Sequence, residues 1–370
     1  MSLMLAPVAE PSRRPTQGTG GASVPPVRVR EATPRELLNW DGLIQRFPGW
    51  RVPHTRGWIE SLQASGHGRP LYLVFEHLGE IVGCIPGLLT RVAWWRLFGS
   101  PLPGWQTVSM GPLFDPGRCS SESLVGALRE YLVTRHRVDH VELMTGALDP
   151  SAMERLGFSG ERIATYRAVL FPGDEARAFQ ALKDSARRNV RRAARLGLVC
   201  RYEDDESFVN EHYDQLREVY RRGGAAVPFS RGRLLYAFRY LRAAGQLVAI
   251  SVRLPDATPI ATGTFLLGPR ELLLWMWAHR PAYRWYRPTE LMTWTVMRRA
   301  MAAGCVSFDL MGRGSFKENF GAVLDLSKTR WVWSDGAGLA RLRRWAEPGY
   351  RLQQSIRGRL ARLAYLVAQA

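Results

Sequence analysis

Phe308-Asp309-Leu310-Met311-Gly312-Arg313-Gly314-Ser315-Phe316-Lys317-Glu318-Asn319-Phe320-Gly321 is the stretch that decides how the rest of the chain is read. Residues 305–311 read as a strand. Gly312 and Gly314 then free the backbone for a turn. In a regular strand Phe316 and Lys317 would point to opposite faces, so a shared task for the two demands irregular backbone there. Lys317 is one of three lysines among 51 basic residues, and arginine supplies the rest. Such a bias reflects genome composition and erodes dispensable lysines; a lysine that stays is notable because Lys offers a compact charge on a flexible stem where Arg spreads it over a planar fork. A solvated surface lysine after a glycine loop is the plainer alternative.

A second segment stands upstream: Leu182-Lys183-Asp184-Ser185-Ala186-Arg187-Arg188-Asn189-Val190-Arg191-Arg192-Ala193-Ala194-Arg195-Leu196-Gly197-Leu198. Residues 176–196 read as one long basic helix. Arg187, Arg191 and Arg195 follow i, i+4 spacing and stack along one face, with Arg188 and Arg192 in an adjacent stripe. That face suits phosphate-bearing ligands, because one guanidinium can hold two phosphate oxygens. A solvated basic face has the same pattern.

Around these segments the chain divides into two α/β units. In residues 27–171, strands at 71–77 and 81–89 flank the turn Leu78-Gly79-Glu80, hence a hairpin. A further strand is expected at 105–110, before the break Gly111-Pro112-Leu113-Phe114-Asp115-Pro116. A helix at 121–135, a strand at 138–144, a short helix at 151–156 and a strand at 163–171 follow. Residues 172–336 repeat the order. After the basic helix come helices at 208–222 and 234–244, and strands at 247–254, 259–267 and 271–278. A loop at 279–287 leads into a helix at 288–303, with Pro288 in its first turn and Glu290 at the positive end of its dipole. Strands at 305–311 and 326–333 close the unit. Residues 1–26 read as a disordered leader. Residues 337–370 form a basic helical tail that either docks on its own domain or lies on a membrane surface.

Taken together and in this order, segments 182–198 and 308–321 resemble the Fem-type peptidyl (aminoacyl) transferases. They are similar also to the related N-acyltransferases of the GNAT superfamily that carry two tandem GNAT-like domains. The Gly111-Pro112-Leu113-Phe114-Asp115 loop looks like the Gly-Pro segment of their first domain, and the resemblance covers roughly residues 27–335. It implies an α/β fold of two tandem GNAT-like domains, with mixed central sheets flanked by helices. It implies an enzyme that moves an acyl or aminoacyl group to an amine of a cell-envelope or surface-glycan precursor. The donor it implies is either aminoacyl-tRNA or acyl-CoA. In the family pattern a Phe-Lys pair, carried over to Phe316 and Lys317, stabilises the oxyanion of the tetrahedral intermediate, often the largest catalytic term. The Phe316 ring would hold the ammonium at about 0.5–2 kcal/mol.

Residues 277–288 interleave aromatics and arginines where a strand hands over to a helix, the position at which GNAT folds bind a cofactor pyrophosphate. The glycine-spaced acetyl-CoA signature, [Arg/Gln]-x-x-Gly-x-[Gly/Ala], is absent from both halves. Tyr283 and Arg284 there, with Arg187, Arg188, Arg191 and Arg313, are the expected substrate-binding residues. Asp309 joins Lys317 and Phe316 as the expected catalytic set, standing at a strand end suited to chemistry or to bracing it. His279, Glu290 and Asp115 are further candidates for a general base. Loop capping is the alternative for each, and substrate-assisted deprotonation needs no protein base.

The net charge of +18 and pI near 10.5 favour anionic partners: a diphosphate-bearing precursor, tRNA or CoA. Arg-rich composition alone would give the same excess. The four cysteines form no CxxC pair, so neither a metal site nor a disulfide framework is expected, and a reducing compartment fits. No tightly bound cofactor is expected. No Gly-x-Ser-x-Gly elbow points to a covalent intermediate. No apolar run of about 18 residues suggests a membrane span. The expected location is the cytoplasm. Peripheral contact with the inner membrane surface stays open because residues 91–98, with Trp94 and Trp95, combine aromatic and cationic side chains; a buried strand end explains them equally. A non-catalytic binder of RNA or anionic membrane is the competing class, and oligomeric state is not legible.

Overall fold

The computed structural model describes residues 26–336, so the tail expected at 337–370, and the leader up to residue 25, lie outside the described residues. The first half contains β1 (Arg28–Glu31), α1 (Pro34–Leu38), α2 (Trp40–Ile44), α3 (Arg56–Ala64), β2 (Arg69–His77), β3 (Glu80–Val92) and β4 (Trp95–Ser100). It continues with β5 (Leu113–Phe114), α4 (Ser121–His136), β6 (His140–Thr145), α5 (Pro150–Arg155) and β7 (Ser159–Val169). The second half contains α6 (Glu175–Ala181), α7 (Asp184–Arg195), β8 (Val199–Tyr202), α8 (Ser207–Arg222), α9 (Arg231–Arg242) and β9 (Leu247–Arg253). It ends with β10 (Pro259–Leu267), β11 (Glu271–His279), α10 (Pro288–Ala302), β12 (Ser307–Asp309) and β13 (Val323–Ser334).

The sheets of the two halves join into one mixed sheet, in the order β1-β2-β3-β4-β6-β13-β7-β12-β11-β10-β9-β8, with β5 added beside β3. Each half holds one parallel pair, β4 with β6 and β11 with β12. The two closing strands are exchanged. The second half's β13 pairs with β6, and the first half's β7 pairs with β12. β7 and β13 pair antiparallel with each other, with an irregularity between Asp325 and Lys328. The middle of the sheet is therefore woven from both halves.

An apolar cluster spans the same boundary. Trp58 and Leu62 of α3 meet Phe208 of α8, Phe238 and Leu241 of α9, and Leu273 and Trp275 of β11. Burying each such side chain contributes about 1.5–3 kcal/mol. On the opposite face, Ala186, Val190 and Ala193 of α7 pack with Phe308 and Met297. No helix among the described residues is long and apolar enough to cross a membrane.

Two expected elements differ. Residues 105–110 are not a strand: Gln106 sits at φ 55°, and its carbonyl accepts the Trp275 indole N–H at 3.0 Å. The strand is β4 instead, which follows a tight turn at Ala93 (φ 54°) that leaves Trp94 73% exposed at a hairpin tip. The basic helix is also interrupted. Leu182 is extended (φ −68°, ψ 145°) and buried, and the Lys183 N–H donates to the Asn319 carbonyl at 3.0 Å. A tertiary contact thus splits a pattern that is helical on both sides.

Candidate functional site

β11 and β12 pair in parallel for three residues only, Glu271–Leu273 with Ser307–Asp309. β11 then runs on to His279 while the other strand turns away. Met311 (φ 54°), Gly312 (φ 40°) and Gly314 (φ 149°) make that turn, and a 3₁₀ turn, Ser315–Phe320, follows. Phe316 and Lys317 lie on it, so the backbone is irregular as expected. Lys317 Nζ donates to the Met311 carbonyl and, at 3.0 Å, to the Gly312 carbonyl. An ammonium has three donors, so one remains for a ligand. Burial lowers the Lys317 pKa from the ordinary lysine value, and the Asp309 carboxylate partly restores it.

Phe316 does not hold the ammonium in the way expected. Its ring packs edge-on against Trp277 and Phe320, with centroids 6.0 and 5.5 Å away. Three aromatics off β11 and the 3₁₀ turn thus pack on one another, and backbone carbonyls fix the lysine.

The two sequence segments meet here. Lys183 Nζ pairs with Glu318 Oε2 at 2.8 Å, beside the backbone bond from Lys183 to Asn319. Gly321 (φ 71°) closes the turn against the end of α6, where an added Cβ would stand 2.8 Å from the Ala181 carbonyl oxygen.

Beneath the turn, Asp309 is fully buried. Its Oδ1 accepts from the Thr165 hydroxyl and, at 2.8 Å, from the Met311 N–H, while Lys328 Nζ donates to Oδ2. Burial alone would raise its pKa; the Lys328 ammonium and these hydrogen bonds outweigh it and hold the carboxyl below its ordinary value. Arg51 Nη1 lies 3.9 Å from Asp309 Oδ2 and 2.7 Å from Glu271 Oε2, and Arg167 reaches both Glu271 and Asp325. Sequence reasoning missed Lys328, Thr165, Arg51, Arg167 and Glu271. One signal was available: Lys183, Lys317 and Lys328 are the chain's three lysines, and all three gather around this turn.

The other expected residues are dispersed around this centre. Arg187 folds back onto Asp184 and, at 2.6 Å, the Gln180 carbonyl. Arg191 lies 5.3 Å over the Phe179 ring. Arg188, Arg191, Arg192 and Arg195 line an open surface hollow, and Arg188, Arg192 and Arg195 have no acidic partner within salt-bridge distance among the described residues. Tyr283 faces Tyr286, and Arg284 lies over the exposed Trp285. Arg313 is exposed on the turn itself. Among the base candidates, Glu290 accepts from Asn189 at 2.8 Å, which ties α10 to α7. His279 stands 3.4 Å from the Thr289 hydroxyl, and burial lowers its pKa from the ordinary value. Asp115 accepts the Gly117 N–H at 2.9 Å, which is the turn-stabilising alternative. All four cysteines are free. Among the described residues no group of three His, Cys, Asp or Glu side chains gathers to hold a metal.

Residues 181–319 match the family model described as an acetyltransferase (GNAT) domain. That span begins where α6 ends and reaches Asn319, taking in the basic segment and nearly all of the lysine turn. No curated protein matches the sequence. Among solved structures, the fold is similar to that of FemX, at 12% identity and a TM-score of 0.68, over 82% of this chain and 96% of that one. A protein of unknown function from Bacteroides thetaiotaomicron is similar at 9% identity and TM-score 0.55, over 84% and 98%. L-PGS from Bacillus licheniformis is similar at 11% identity and TM-score 0.51, over 87% and 97%.

Proposed function

We propose that this chain, an acyltransferase with a GNAT domain and a tandem GNAT-like fold, forms an amide on an amine of a cell-envelope or surface-glycan precursor. Lys317 carries this reading: a half-buried ammonium with one free donor, where β11 and β12 part. In the reaction the amine nitrogen attacks the carbonyl carbon of the donor. The C–N bond forms, the oxyanion develops, and the C–O or C–S bond then breaks. The leaving oxygen or sulfur ends with the proton that the amine gives up. A preorganised cation 2.7–3.1 Å from the oxyanion position stabilises that charge. Asp309 acts as a positioning residue, fixing the Met311 N–H from which the turn begins. Phe316, part-exposed beside Lys317, offers an apolar contact to the substrate. Arg188 and Arg191 on α7, with Arg313, take the anionic part of a substrate, while Arg187 braces the helix start. Tyr283 and Arg284, on the turn that precedes α10, offer an aromatic and a cationic contact to the substrate.

The donor is aminoacyl-tRNA in the first reading, for which the similarity to FemX is the support. Acyl-CoA is the second, favoured by the match of residues 181–319 to a GNAT acetyltransferase domain. Neither needs a tightly bound cofactor. The location proposed is the cytoplasm, at or near the inner face of the cell membrane. The test is a turnover assay with each donor class over a panel of amine acceptors, on the wild type and on Lys317→Met. Turnover with one donor that collapses in the variant supports the reading. Turnover that survives the substitution within a few-fold sinks it, and RNA or vesicle binding without turnover leaves the non-catalytic class.

A further inference from the structure

A cavity of about 620 Å³ opens between the halves at the start of β11 and β12. The first-half segment 45–53 forms one wall, and Arg167 of β7, the turn before β11 and Val306-Ser307 form the others. Its size lies within the roughly 300–1,000 Å³ typical of small-molecule sites. Four arginines line it, Arg46, Arg51, Arg167 and Arg270, with Glu271 as the sole carboxylate among the lining residues.

That wall is electrostatically incomplete. Arg51 Nη1 approaches Glu271 Oε2 at 2.7 Å, and Arg167 Nη2 approaches Oε1 at 3.3 Å. Yet Arg51 Nη1, Arg167 Nε and Glu271 Oε1 are buried atoms that make no hydrogen bond, so these contacts are ionic without alignment. Arg46 and Arg270 have no ion-pair partner among the described residues. The connected network itself is balanced: Arg51, Arg167 and Lys328 stand against Glu271, Asp309 and Asp325. Arg46 and Arg270, both exposed, add two further guanidiniums to the cavity lining, an excess that a phosphate dianion would offset. Arginine forks match phosphate oxygens in pairs. Trp50 and Phe47 add a planar, apolar wall.

We propose that this cavity binds a phosphate-bearing small molecule with a planar group, and that its occupant is coupled to the Lys317 turn through Arg51. The coupling is geometric. Arg51 sits between Glu271 and Asp309, and Asp309 holds the Met311 N–H that starts the turn. An occupant that draws Arg51 towards the cavity alters the field on Asp309 without touching the reacting atoms.

The test is calorimetric titration of the full chain with phenyl phosphate, with phenol and inorganic phosphate as separate arms. One phenyl phosphate per chain is expected, tighter than either arm. Arg46→Met with Arg270→Met, both exposed and outside the ion pairs, should weaken it about tenfold or more, the equivalent of about one charge-assisted contact, with Tm nearly unchanged. Arg188→Ala with Arg195→Ala, and Lys317→Met, should leave it intact, which separates its failure from that of the lysine reading. No saturable binding by the wild type, or equal binding by the Arg46/Arg270 variant, would mean an inter-half ion-pair network only and overturn the proposal.

Discussion

Lys183 and Glu318 are ion-paired at 2.8 Å, which closes the basic helix segment onto the lysine turn. Both side chains are about half exposed, so the charge itself adds little to stability, about 0–1 kcal/mol. The backbone beside it matters more. Gly321→Ala forces a side chain into a left-handed conformation and 2.8 Å from the Ala181 carbonyl. We expect Lys183→Met to shift urea denaturation barely, and Gly321→Ala to cost about 1–3 kcal/mol. A Gly321→Ala protein as stable as the wild type would show that this closure is loose.

Lys317→Met should lower kcat by about 10²–10³-fold, the scale of losing one oxyanion donor, with KM little changed and Tm within a few degrees. Lys317→Arg should not restore it, because a planar fork cannot reproduce the two-carbonyl tether. Steady-state kinetics on the three proteins decides this; equal kcat in the Arg variant would refute the tether.

Asp309→Asn should destabilise the fold by about 3–5 kcal/mol, since it leaves the Lys328 ammonium buried without its partner. Asp309→Leu combined with Lys328→Met should cost clearly less than the two single changes summed. Because the Asp309 pKa is lowered in the folded state, its stabilisation is present above the ordinary carboxylate value. It is lost as pH falls through the lower folded value. The Asn variant should lack that acid-side loss in a denaturation series against pH.

His54 supplies a separate pH effect. Its Nδ1 accepts the Arg51 N–H at 3.1 Å, and Nε2 lies 3.2 Å from the Gly111 carbonyl, so the neutral ring joins two loops. Burial lowers its pKa to about 4. Between the ordinary value of about 6.5 and that lower one, the unfolded chain takes up a proton that the folded chain refuses. Stability therefore falls on acidification across this window, by about 3 kcal/mol from this residue. His67 and His212, lowered to about 4 and about 3, add to the same slope. His54→Gln should remove a share of it; an unchanged slope by chemical denaturation would count against the neutral ring.

Replacing Arg188, Arg192 and Arg195 by Ala should raise KM for an anionic substrate and flatten its salt dependence, with kcat held. These guanidiniums are exposed and carry no ion pair among the described residues, so their attraction acts on encounter and is screened by salt. Salt series of kcat/KM on both proteins would expose a purely solubilising role as parallel lines.

Much of the element order was legible because its causes are local. Leu124, Leu128 and Leu132 repeat at helical spacing, and Leu78-Gly79 makes the tight hairpin turn, each set by a few neighbours along the chain. The scarcity of lysine and the glycines before it singled out Lys317, and the structure gives it an irregular turn and two carbonyl partners. The break at Leu182-Lys183 was not legible, because its cause, the bond to Asn319, lies far along the sequence. The orientation of Phe316 depends on Trp277 from another strand in the same way.

The sequence by itself determined an α/β chain with an Arg-rich helix and a glycine-hinged lysine. Periodicity, turn chemistry and composition are properties of neighbouring residues. Only the tertiary structure decided what stands beneath that lysine. The exchange of β7 and β13 brings Thr165 of the first half and Lys328 of the last strand onto one buried carboxylate, Asp309. No local pattern encodes such a meeting, because it comes from strand register across the sheet; burial then makes each ion's partner necessary.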